Sequence, residues 1–209
     1  MTPHLSKLVL TSHITFSVGW IGAVAVFLAL SIVGLTSQDI ELARSACLSM
    51  ELSALFVIVP FCLISLFTGI VQATGAKWGL FKHYWIVVKL FLTIGSTILL
   101  LLHIQPITYL AGVAADPSFS NSQLSAQLIQ LIAKAGAAIL TLLAITTISV
   151  YKPWGTIQFA LRNDNKFINI SGSKKGAEKS WEFYGLIALI GLVIIFIIAH
   201  LFGGGMNVH

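Results

Sequence analysis

Polar residues in this chain are gathered into short stretches that separate five long apolar blocks, and each block predicts a helix: residues 8–35, 46–73, 79–103, 125–151 and 182–202. A bilayer core about 30 Å thick needs roughly 20 apolar residues of helix, a length that all five supply. The third block, GLFKHYWIVVKLFLTIGSTILLLLH, carries Lys89 several residues inside its start. An unpaired ammonium there costs on the order of 2.5 to 3.5 kcal/mol on insertion scales, so the sequence demands compensation. Helical spacings of 3, 4 and 7 put Lys82, Trp85, Thr93, Ser96 and His103 on the face of Lys89. That stripe is expected to look into a bundle, and the remaining Leu, Ile, Val and Phe faces toward lipid or packed neighbours.

The same spacings sort the other blocks. On the first, His13, Ser17 and Trp20 share a face. On the second, Glu51 is followed by Cys62, Ser65, Gly69 and Gln72 at helical repeats, and Pro60 predicts a kink beside a cavity. On the fourth, Gln123, Gln127, Gln130, Lys134 and Thr141 form a stripe, with Lys134 near mid-membrane. By depth, the expected partner of Lys134 is Glu51, which reads as a counter-ion or proton carrier. The fifth block is apolar around its circumference until His200 and reads as a peripheral helix over a four-helix core. Residues 152–180 form the one sizeable polar region, basic and rich in loop signals. The predicted architecture is an all-α, polytopic membrane protein in a single domain.

Composition agrees, with 57% hydrophobic residues, 9% charged residues and a mean hydropathy of +0.94. A soluble domain of 209 residues needs far more polar surface. The basic balance does not point to nucleic acid, because the bases cluster in the connections between apolar blocks, the pattern that orients membrane helices. Lys7, Lys77, Lys82 and the six bases of residues 152–180 fall on one side, and Arg44 alone on the other. This places the N-terminus in the cytoplasm and the C-terminus outside. Cys47 and Cys62 lie on one helix, too far apart to bridge each other, and carry no redox signature.

Three segments together resemble a group of bacterial membrane proteins. Helix one offers His13, then Gly19, Trp20, Ile21, Gly22 and Ala23. Helix two offers Glu51, Pro60 and Gly69. Helix three offers Trp85, three residues, Lys89 and Leu90, with His103 downstream. In that order they resemble the HemJ-type protoporphyrinogen oxidases, the membrane part of copper-resistance D-type proteins and a related bacterial family. The proline, arginine and second histidine that end the first helix of the HemJ-type pattern have no counterpart in residues 27–33, so the resemblance concerns the shared core. It implies a haem b-containing bundle in a bacterial inner membrane, with redox activity on a porphyrin, His13 at a ligand position and Lys89 as a site lysine.

The leading expectation is therefore a b-type haem protein transferring electrons to a redox partner protein or quinone. Its candidate ligands are His13, His103 and His200, with Trp20 beside the cofactor and Lys89 and Glu51 as charge or proton partners. His13 and Lys89 fall at comparable depth, His103 and Glu51 nearer the outer face, so His13 and His103 belong to different sites. Copper handling is the first alternative, using Cys47, Met50, His103, His200, Met206 and His209, since soft sulfur and imidazole suit copper(I). A non-enzymatic subunit or small-solute carrier is the second, with the buried charges serving packing. A homo-oligomer is compatible with each.

Overall fold

The computed structural model describes residues 2–75, 84–116 and 121–151, and among them every regular element is helical. Helix α1 spans Pro3–Thr36. Helix α2, Ile40–Ser53, continues through a π turn, Ala54–Ile58, into α3, Val59–Gly75, forming a second unbroken span. Helices α4, Tyr84–Ala115, and α5, Asn121–Tyr151, complete four spans long and apolar enough to cross a membrane. The predicted fifth helix, residues 182–202, its His200 and the basic segment 152–180 lie outside the described residues.

Local chemistry moves several boundaries. Thr2 caps α1 through its hydroxyl, which accepts from the Leu5 N–H, and Pro3 follows at the first helical position, where its missing donor costs nothing. The helix thus starts before the apolar block. Asp39 caps α2 by accepting from the Glu41 and Leu42 N–H groups, so the polar run expected to be a loop is helical from Ile40. Helix α4 does not stop at His103. It runs through Pro106 to Ala115, because the following residues remain apolar and a spanning helix tolerates a proline whose freed carbonyl its surroundings can satisfy.

The largest correction concerns the second span. A π turn lies just before Pro60, in which the Val59 N–H reaches back five residues to the Ala54 carbonyl. One residue is thereby added to a turn, and everything beyond it is rotated by roughly 100° relative to a straight α-helix. Met50, at 0% exposure, now lies on the buried face with Ala54, Ile58, Cys62 and Ser65. Glu51, counted onto that face by uninterrupted helical spacing, is turned to its edge and only half-buried.

The spans pack as a four-membered ring. α1 touches the second span and α5, and α4 touches those same two, leaving α1 and α4 on a diagonal. Buried residues run down the middle: Trp20, Val24 and Phe27 from α1, Leu92, Ile107 and Leu110 from α4, Leu128, Leu131 and Leu142 from α5. Outward faces carry Val18, Phe56, Phe67, Phe91 and Leu140, each largely exposed. Such a surface suits lipid and not water, which supports a multi-pass membrane protein. Close approach of α1 and α3 depends on Gly19, where a Cβ would fall 2.5 Å from the Phe61 ring. That ring stands edge-on to Phe16, centroids 5.3 Å apart.

Replacing Gly19 with Ala forces Phe61 aside. We expect a loss of about 1–3 kcal/mol, seen as a lower midpoint in thermal or mixed-micelle unfolding; an unchanged midpoint would show that the α1–α3 contact is not limited by this residue.

Candidate functional site

Two polar centres occupy the bundle at different levels. The first joins all four spans. His13 on α1 donates its Nδ1–H to the Ser65 carbonyl of α3 at 3.0 Å, with Thr68 Oγ1 at 3.3 Å. The Thr68 hydroxyl itself donates to the Ile64 carbonyl, so it faces the imidazole as an acceptor. On the other side of the ring, Lys89 Nζ of α4 lies 3.3 Å from His13 Nε2 and donates to Ser149 Oγ of α5 at 3.2 Å. An ammonium only donates and a carbonyl only accepts. The partners therefore assign the neutral Nδ1–H imidazole, with Nε2 accepting from Lys89.

The sequence places these groups together for simple reasons. His13 and Ser17 are one helical turn apart, and Ser17 Oγ meets Ser65 Oγ at 2.7 Å. Gly69 leaves room for the ring: a Cβ there would stand 3.0 Å from His13 Cε1. Below Lys89, Thr93 donates to the Lys89 carbonyl and Thr97 to that of Thr93. Because the Thr97 proton is committed there, the Cys62 thiol donates to Thr97 Oγ1 at 3.2 Å. Lys89 is compensated by neutral groups. Glu51 forms no ion pair with Lys89 or Lys134, and Arg44–Glu41 is the one ion pair among the described residues, so the counter-ion reading is corrected. Glu51 is turned to the edge of its span, and that span lies diagonally across the ring from α5, which carries Lys134.

The second centre lies roughly 21 Å further along α4 at 1.5 Å per residue. It is a cavity of about 110 Å³ between α1, the π turn, α4 and α5. Its walls are mostly aliphatic, with Trp20 and Phe27 on the α1 side, and its polar members are Ser96, His103, Lys134 and Thr141. His103 donates its Nδ1–H to the Leu99 carbonyl one turn back, and Thr141 donates to the Ala137 carbonyl. Gln127 and Gln130, expected on the same stripe as Lys134, are exposed.

The expected ligand residues are thus separated. His13 and His103 serve different levels, as their depths in the sequence implied, and no group of three or more His, Cys, Asp or Glu side chains able to hold a metal occurs among the described residues. Both ring nitrogens of His13 are engaged. A metal-bound histidine commonly donates its other N–H to a carbonyl, and the Ser65 bond has that form. Iron at Nε2 would however have to displace Lys89. The cavity beside His103 is smaller than the roughly 300–1,000 Å³ of sites that hold drug-sized ligands. These residues as arranged do not fit a haem. Cys47 and Met50 are buried in the core, and the remaining residues of the copper set, His200, Met206 and His209, lie outside the described residues.

What spacing alone missed are Ser65 and Thr68 as partners of His13, and Ser149 as the partner of Lys89. Ser149 belongs to none of the stripes read from α5. Its signal was available only as a hydroxyl near the end of that helix which has the depth of Lys89. No protein-family model, curated protein or solved structure matches the chain, and so none bears on the resemblance drawn from the sequence.

A double-mutant cycle with His13→Ala and Lys89→Met is expected to give a coupling of about 0.6 kcal/mol, the average for hydrogen bonds between membrane helices, and at most about 1.7 kcal/mol. Mixed-micelle unfolding reads it; additive losses would mean that the two residues stabilise the bundle independently.

Proposed function

We propose that this chain is a multi-pass membrane protein that binds a small, mainly apolar molecule inside its bundle, as a binding protein or small-solute carrier rather than through haem chemistry. The observation that carries this reading is the cavity beside His103. Apolar walls with a few convergent polar groups are the usual composition of a ligand site. The size is on the scale of the roughly 150 Å³ apolar cavity that takes benzene. The first centre is of another kind, since both ring nitrogens of His13 are engaged and Lys89 is held by two neutral partners within the protein. It supports a packing role that fixes the four spans in register.

A direct test uses 4-fluorobenzyl alcohol and protein in nanodiscs, followed by ¹⁹F NMR against empty nanodiscs. Binding to the wild type and its loss in Ala138→Phe, or in Ala135→Leu should the first variant fail to fold, is the expected outcome. Equal signals from protein-loaded and empty nanodiscs would remove the cavity as a site. A haem Soret band in the purified protein would replace this reading with the redox one.

The distribution of bases supports an N-terminus in the cytoplasm, and the resemblance drawn from the sequence supports a bacterial inner-membrane location. Gln38, exposed between α1 and α2, then faces the outside, and a Gln38→Cys variant is expected to react with a membrane-impermeant maleimide added to intact cells. Labelling only after lysis would reverse the orientation.

A further inference from the structure

The described lining of the cavity beside His103 carries a positive charge and no negative one. Three of its lining residues carry N–H or O–H groups with no hydrogen bond to the described residues: the Trp20 indole, the Ser96 hydroxyl and the Lys134 ammonium. Trp20 as a residue is 4% exposed and lines the cavity. Lys134 is half-buried and lacks a carboxylate partner among the described residues, although buried charges are ordinarily paired. His103 and Thr141 have already placed a proton on carbonyls of their own helices, which leaves His103 Nε2 and the Thr141 oxygen as neutral acceptors. Among the described residues that line the space none is acidic. The acidic residue read as the partner of Lys134, Glu51, is turned to the edge of its span. The described lining thus supplies donors, neutral acceptors and one positive charge, and no carboxylate to balance that charge.

We propose that the natural ligand of this cavity is a small amphipathic anion: a single ring or short aliphatic body bearing a carboxylate or similarly charged oxygen group. The apolar part fills the space between Val24, Phe27, Leu131 and Leu142, and the charged oxygens accept from Lys134, with Ser96 and Trp20 as further donors. The proposal rests on the cavity being a binding site and adds the charge of what binds. Lys134 is then the residue that sets specificity, because it alone on the lining distinguishes an anion from a neutral molecule of the same shape by charge.

The experiment compares 4-fluorobenzoate, 4-fluorobenzyl alcohol and 4-fluorobenzylamine on the wild-type chain in nanodiscs, by ¹⁹F NMR titration with empty nanodiscs subtracted. Benzoate is expected to bind about tenfold or more tightly than the alcohol, as a charge-assisted hydrogen bond allows, and the amine most weakly. In Lys134→Met the benzoate-to-alcohol ratio is expected to fall toward one, and in Lys134→Arg to persist. Binding of the alcohol with no preference for benzoate in the wild type would overturn the anion assignment while leaving the cavity as a site. Binding of none of the three would overturn both. Because the wild-type series is decisive by itself, failure of a Lys134 variant to fold does not blunt the test.

Discussion

A positive charge inside an apolar span has to be compensated, and Lys89 meets that constraint without a carboxylate. Its ammonium donates to a neutral imidazole from the diagonally opposed helix and to a serine on a third, while the imidazole is held by a carbonyl of the fourth span. The arrangement works only if His13 stays unprotonated at Nε2 and presents that nitrogen to α4. Tautomer, rotamer and helix register are thus fixed by one chain of donors and acceptors, and the approach of α3 through Gly69 follows from the same requirement.

Much of this was legible in the sequence. The four spans that the structure describes correspond to four of the apolar blocks. The inward turn of Lys89, Thr93, Ser96 and His103 followed from helical spacing, and the equal depth of His13 and Lys89 becomes a direct contact. The ends of the helices were less legible, because Asp39 and Thr2 extend helices into polar sequence by capping, an effect that hydropathy does not carry. Glu51 was misplaced for a different reason. A periodicity argument assumes a constant turn, and one turn here is wider.

The two centres differ in a way that spacing cannot express. Both combine a histidine and a lysine on an inward stripe, and from sequence they look alike. In the structure one is closed, with both imidazole nitrogens and the ammonium engaged by neighbouring helices. The other opens on an apolar cavity whose described lining carries a lysine and no carboxylate. Residue type located both; only the positions of carbonyls and hydroxyls on neighbouring helices separate a self-satisfied knot from a surface suited to a ligand.

The π turn also constrains how the chain can vary in length. Removing one residue from 54–58 would restore an ordinary helical turn and rotate the half of the span that holds Ser65, Thr68 and Gly69 by roughly 100° relative to the half that holds Met50. The imidazole would lose its carbonyl, or Cys47 and Met50 would leave the core. Single insertions and deletions are therefore tolerable at the ends of this span but not at its centre, and the surplus residue works as a phase adjuster between two buried faces whose spacings would otherwise be incompatible.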